Sequence, residues 1–298
     1  MAVSGTVLIL RALGLGDLLT ALPALRALRD SFASSSLVLA APAWLAPLAL
    51  HCGAADRVLP TEPLGPVRAW APRLAVNLHG RGPQSHRVLL ATRPDRLVAY
   101  RHRDVPESAG APRWRPGEHE VRRWCRLLAE SGIPADPSHL HVDPAGLPPS
   151  PAPGATVIHP GAGSPERRWP AERWALVARR ARRDGPVLVT AGPGELELAG
   201  RVAAGAGLGA GAVWTGPLLD LAGVVAGAAR VLSADTGVAH LATALRRPSV
   251  VLFGPVAPAE WGPPALPRHR VLWAGHRGLL EIGPADVTGA MATLNLTD

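Results

Sequence analysis

The chain has 298 residues, enough for two domains of ordinary size, and its 47% hydrophobic and 18% charged residues exclude wholesale disorder. The net charge is +8, but all 31 basic residues are scattered Arg, and one Tyr and two Phe are too few to stack bases, so nucleic acid is set aside as a partner. Two distant cysteines, Cys52 and Cys125, exclude a disulfide framework or a cysteine-rich zinc site and fit reduced thiols in a cytoplasmic protein.

A strand is expected over residues 6–11, with no charged segment before it that would mark a signal peptide. Gly14 to Asp17 form a turn, and residues 18–30 a helix. A strand follows at 36–41 and a helix at 44–52, where Pro42 and Pro47 interrupt the apolar run well short of the ~20 residues of a membrane span. Short strands are expected at 57–59 and 74–78, and a helix at 119–131 that stops at Gly132. Residues 143–154 hold five prolines and two glycines in twelve positions, which no helix or central strand tolerates. They mark a boundary, giving domains 1–150 and 151–298. A second cycle then runs through a strand at 156–159, a helix at 171–184, a strand at 186–191 and a helix at 195–204. It continues with a strand at 228–232, a helix at 238–246 and a strand at 249–253. Such alternation predicts α/β halves with parallel sheets, a cleft between them, and ligands at the carboxyl ends of the strands.

The loops at those ends carry the chemistry. Asp235, Thr236 and Gly237 turn a buried strand into a helix, with Thr236 placed to cap it through its hydroxyl. Gly237 leaves room for an oxyanion against the open N–H groups, and His240 falls in the first turn. Gly161, Ala162, Gly163 and Ser164 let backbone N–H groups approach a ligand, and Arg167 and Arg168 set positive charge beside them. Glu195, after Gly192-Pro193-Gly194, is placed to accept from a ribose or to compensate a helix N-terminus. Pro217 and Leu218 offer a nucleobase an apolar wall. These loops converge on a nucleoside-diphosphate site, and no Asp and His cluster points to a metal. In the first half, Gly14-Leu15-Gly16-Asp17 lacks the third glycine of a dinucleotide fingerprint, because position 19 is Leu; this disfavours a nicotinamide or flavin oxidoreductase. Asp17 serves either as a helix N-terminal acid or as a general base.

The segments GLGDLLTALPALRAL, HPGAGSPERRWPAERW, GPGE and SADTGVAHLATAL, in that order, resemble glycosyltransferase family 9, the heptosyltransferase-like family. The resemblance implies the GT-B fold, with two Rossmann-like domains, the donor on the C-terminal one and the acceptor largely on the N-terminal one. It also implies inverting transfer from a nucleotide-activated sugar, with no metal and no cofactor. Asp17 then corresponds to the base, and Arg167 stands where the family usually has Lys, in keeping with a chain that has no Lys. Glu195 becomes the ribose contact, and Asp235, Thr236, Gly237 and His240 the sugar and phosphate end. Gly16, His79, Arg81 and Gln84 fall where the family shapes its acceptor site. Residues 79–126 carry eleven Arg against five acids, which reads as a solvated basic face, an anionic acceptor site, or peripheral contact with the inner face of a membrane. The expected function is sugar transfer from an ADP-heptose-like donor to a hydroxyl of a glycan, glycolipid or other acceptor. The alternative is a non-catalytic nucleotide-sugar-binding protein.

Overall fold

A computed structural model describes residues 5–68 and 71–296. The chain divides into two compact units, Met1–Leu140 and His141–Asp298. In the first, β1 (Thr6–Leu10), α1 (Leu15–Ser31), β2 (Ser36–Ala41), α2 (Ala46–His51) and β3 (Arg57–Pro60) are followed by β4 (Leu74–Asn77), α3 (Gln84–Leu90), β5 (Leu97–Val98) and α4 (Glu120–Glu130). Its five strands are all parallel, in the order β3-β2-β1-β4-β5. The second unit holds β6 (Thr156–His159), α5 (Ala171–Ala181), β7 (Val187–Thr190), α6 (Leu196–Gly205), β8 (Val213–Trp214) and α7 (Leu218–Ala226). It continues with β9 (Arg230–Ala234), α8 (Gly237–Ala244), β10 (Ser249–Phe253), α9 (Pro258–Trp261), β11 (His269–Trp273) and α10 (Pro284–Ala292). Its six strands are parallel too, in the order β11-β10-β9-β6-β7-β8.

The central strands are buried and mostly apolar because helices cover both faces of a parallel sheet. In β1, Val7, Leu8, Ile9 and Leu10 are wholly buried, and β10 is buried along its length. α4 is amphipathic and turns Val121, Trp124, Leu127 and Leu128 inward. The proline-rich stretch lies inside the second unit rather than between the two. Val142 N–H donates to Ala244 O, Gly154 N–H donates to Gly227 O, and Pro148 packs on Gly223 of α7. Among the described residues, no helix is long and apolar enough to cross a membrane.

The strand order decides which loops meet. In the first unit the order reverses between β1 and β4, so the loops after those strands flank one switch point. In the second it reverses between β6 and β9, which brings residues 160–164 beside residues 235–236. Such reversals open the crevice where α/β sheets bind ligands.

Candidate active site

At the second unit's switch point His159 and Ser233 are sheet partners, and the chain leaves β6 through Pro160 to Ser164. Trp169 anchors the segment leading into α5: it is buried edge-on against Trp174, with centroids 4.8 Å apart, and its indole N–H donates to Ile282 O at 3.0 Å. Pro170 then opens α5. Arg168 donates from Nε and Nη2 to Ala162 O, each at 3.3 Å, fixing the glycine loop, in which Gly161 and Ala162 are buried and Gly163 is exposed. The Ser164 side chain hydrogen-bonds the Glu166 carboxylate, which holds that acid below its usual range.

Arg167 reaches across to β9. Its Nη2 lies 2.6 Å from Asp235 Oδ2 and also donates to the Asp235 carbonyl. Asp235 is buried, and His240 Nε2 stands 3.7 Å from its other carboxylate oxygen. The edge of Trp261 in α9 packs on the His240 ring at 5.8 Å. Arg167 is more than a third exposed, and a guanidinium with five N–H groups keeps donors for a ligand after two are spent on Asp235.

Thr236 occupies the N-cap of α8 in extended backbone, but the expected capping bond is not made. Its hydroxyl is buried and has no hydrogen-bond partner among the described residues, and neither does Ser233 Oγ two residues before the turn. The first N–H groups of α8 therefore lack a side-chain cap, and an orphaned hydroxyl stands beside them.

Glu195 is turned inward. Its Oε2 accepts from Gly192 N–H at 2.8 Å and lies 3.8 Å from His159 Nε2. A Cβ at Gly161 would overlap the same carboxylate, so the glycine leaves room for the Glu195 side chain to lie against this loop. Burial pushes the His159 imidazole below its ordinary value, while Glu195 and Thr190 pull it back up. Pro217 is exposed at the N-cap of α7, and Leu218 is half-buried beside it.

In the first unit, Asp17 sits in the first turn of α1. Its Oδ2 accepts from Gly14 N–H at 3.1 Å, and its Oδ1 lies 3.1 Å from Arg11 Nη2. The side chain keeps about a quarter of its surface exposed (26%), so solvent or a substrate can still reach it. Gly16 O accepts from the Thr20 hydroxyl at 2.9 Å. On the β4 side, buried Asn77 organises the loop: Oδ1 accepts from His79 N–H, and Nδ2 donates to Gly80 O and Ser85 Oγ. The His79 ring is half-buried, with Nδ1 unpartnered among the described residues; burial and Arg11 hold it below its ordinary value, and Asp17 draws it back up. Arg81 is exposed, and Gln84 is the exposed first residue of α3 rather than part of a loop. Several arginines of the basic stretch have acidic partners inside it, Arg123 with Glu120 and Arg126 with Glu118.

Residues 109–281 match glycosyltransferase family 9 (heptosyltransferase). The chain belongs to that family. A curated relative, lipopolysaccharide heptosyltransferase 1 of Pseudomonas aeruginosa, is 36% identical over 156 residues, which is 49% of this chain and only 42% of the relative. Among solved structures, a family 9 glycosyltransferase from Veillonella parvula superposes with a TM-score of 0.78 at 19% identity, covering 98% of each chain. The E. coli heptosyltransferase WaaC with ADP gives 0.73 at 21% identity, over 96% of this chain and 99% of that one. The two Rossmann-like parallel-sheet units are those of the GT-B fold found in this family.

Proposed function

We propose that the chain is an inverting, metal-independent glycosyltransferase that moves a sugar from a nucleoside-diphosphate sugar of the ADP-heptose kind to a hydroxyl of a glycan or glycolipid. The observation that carries this is the start of α8. A buried threonine hydroxyl without a partner, beside uncapped helix N–H groups and within one strand of a glycine loop, is what a diphosphate would complete. The relatives point the same way, since one solved neighbour is a heptosyltransferase with ADP.

In this reading Gly161, Ala162, Gly163 and Ser164 face the diphosphate with backbone N–H groups, and Thr236, Gly237 and α8 take the other side. Arg167 adds its remaining donors. Asp235 and His240 close the sugar end, and Pro217 and Leu218 border the base. Glu195 supports the loop, and a carboxylate with about four acceptor positions still has room for a ribose hydroxyl. The acceptor belongs to the first unit, near Gly16, His79, Arg81 and Gln84. As the acceptor oxygen bonds to the anomeric carbon, the bond from that carbon to the diphosphate oxygen breaks and its electron pair leaves with the nucleoside diphosphate. The acceptor proton passes to Asp17. The charge on the leaving group is met by Arg167 and the α8 N-terminus. The arginines between residues 79 and 126 suit an anionic acceptor, presented to a cytoplasmic enzyme at the inner face of a membrane.

The test is calorimetric titration with ADP, UDP and GDP, followed by ADP-heptose. One nucleoside diphosphate is expected to bind, and at 100 times its Kd to raise stability by about 2.7 kcal/mol. Absence of binding by all of them overturns the reading. The Asp17 bond to Gly14 N–H, a helix-capping contact, favours a second reading as a non-catalytic nucleotide-sugar-binding protein. ADP release from ADP-heptose, suppressed about 10²–10⁴-fold in Asp17→Asn, separates the two.

A further inference from the structure

Arg11, the residue after β1, is only 1% exposed, and its hydrogen bonds and ion pairs among the described residues are made within the first unit. Nε donates to Asp17 O at 3.0 Å, and Nη1 donates to Leu78 O at the end of the neighbouring strand. Nη2 lies 3.1 Å from Asp17 Oδ1 and 3.0 Å from Glu120 Oε1, and 3.4 Å from the Thr20 hydroxyl. Its guanidinium carbon is 4.9 Å from the Trp124 ring centroid. Glu120, the first residue of α4, is itself buried, accepting from Trp124 Nε1 at 2.8 Å and pairing with Arg123. A buried cation shared by two carboxylates has no water to replace either one. Nη2 sets the distance to one Asp17 carboxylate oxygen, Nε holds the Asp17 backbone carbonyl, and Gly14 N–H pins the second carboxylate oxygen.

We propose that Arg11 is the positioning residue for Asp17, and that Glu120, 109 residues away in sequence, sets the position of Arg11. Arg11 touches no substrate in this scheme. It holds the Asp17 carboxylate in one rotamer, with lone pairs left for a hydroxyl proton. Glu120, Trp124 and Arg123 make α4 the wall against which the guanidinium rests, so α4 takes part in building a site it does not line. The consequence for turnover rests on the reading of Asp17 as the base; the positioning itself does not.

The experiment uses the full chain and two readouts. Arg11→Lys, Arg11→Met and Glu120→Gln are made alone and in the Asp17→Asn background. The first readout is amide hydrogen exchange at Gly14, whose N–H is held by the Asp17 carboxylate. It is expected to quicken in all three single variants, least in Arg11→Lys. The second is ADP release from ADP-heptose. Arg11→Met is expected to slow it on the order of 100-fold, the scale of a misplaced reacting group. Arg11→Lys recovers part of the rate, and none of the three slows Asp17→Asn further. Affinity for ADP, a property of the second unit, stays within about twofold. Unchanged Gly14 exchange in Arg11→Lys and Glu120→Gln overturns the proposal even if Arg11→Met does not fold. So does a rate loss that multiplies with that of Asp17→Asn. Quickened Gly14 exchange with ADP release insensitive to Asp17→Asn upholds the positioning and removes the base.

Discussion

Arg167 Nη2 and Asp235 Oδ2 stand 2.6 Å apart, joining the loop after β6 to the loop after β9. An acid beside a diphosphate site repels the ligand unless a cation offsets it, and Arg167 does so while retaining donors of its own. Arg167→Ala is expected to weaken nucleoside-diphosphate binding by about 1.5–3 kcal/mol, the worth of a charged hydrogen bond. Removing the uncompensated acid as well, in Arg167→Ala with Asp235→Asn, should recover part of that loss. Calorimetry on the pair measures both, and unchanged affinity in the single variant removes Arg167 from the site.

Gly161 meets Glu195 where a methyl group has no room. Gly161→Ala is expected to push the Glu195 carboxylate off Gly192 N–H and to cost about 0.5–1.5 kcal/mol of unfolding free energy, the worth of that hydrogen bond. Adding Glu195→Ala should cost little more, because the carboxylate's bond to Gly192 N–H is already lost. Denaturant melts of the three proteins check this, and equal midpoints for Gly161→Ala and the parent would contradict it.

The carbonyl of Pro148 packs where a Cβ at Gly223 would sit, tying the proline-rich segment to α7. Gly223→Ala should therefore expose residues 143–154 to protease before the rest of the second unit opens. Limited proteolysis with mass mapping of the first cut is the measurement. A first cut elsewhere would show that this contact does not hold the segment.

Burial pushes His269 from 6.5 down to about 4, with Arg268 adding to the effect, while Ser249 Oγ lies 2.9 Å from its Nδ1. Its folded value is depressed, so above pH 6.5 both folded and unfolded states are neutral and its contribution is fully present. As pH falls from 6.5 toward 4 the unfolded chain takes up the proton first, and stability drops by on the order of 3 kcal/mol. His86 is shifted the same way in the first unit, chiefly by burial. His269→Asn should flatten the melting temperature between pH 6.5 and 4 relative to the parent. A curve that keeps its slope would assign the loss to other groups.

The strands at 36–41, 156–159 and 249–253 coincide with β2, β6 and β10 because buried parallel strands are continuous apolar runs bounded by turn residues. The elements that escaped are those without that signature. β5 and β8 are two residues long, and β11 lies at a sheet edge with Val271 and Trp273 exposed. α7 carries Gly223 where helix propensity alone argues against it, and packing on Pro148 explains the choice. At the site, the position of Thr236 was legible as a helix start, but not that its hydroxyl would be left without a partner. Arg11 gave no signal beyond ending a strand, because its buried partner Glu120 becomes a neighbour only when α4 packs on α1. Asn77 likewise fell inside the strand expected at 74–78, and its hold on the loop at His79 depends on residues later in the chain.

The long separation between Arg11 and Glu120 has a consequence for biosynthesis. At about 5–20 residues per second, translation delivers Glu120 roughly 5–20 s after Arg11. Until then the guanidinium has only the more exposed Asp17 to neutralise it. A transcript stalled before α4 would yield β1 and α1 with a cation they cannot bury, a fragment suited to capture by ribosome-associated chaperones and to clearance.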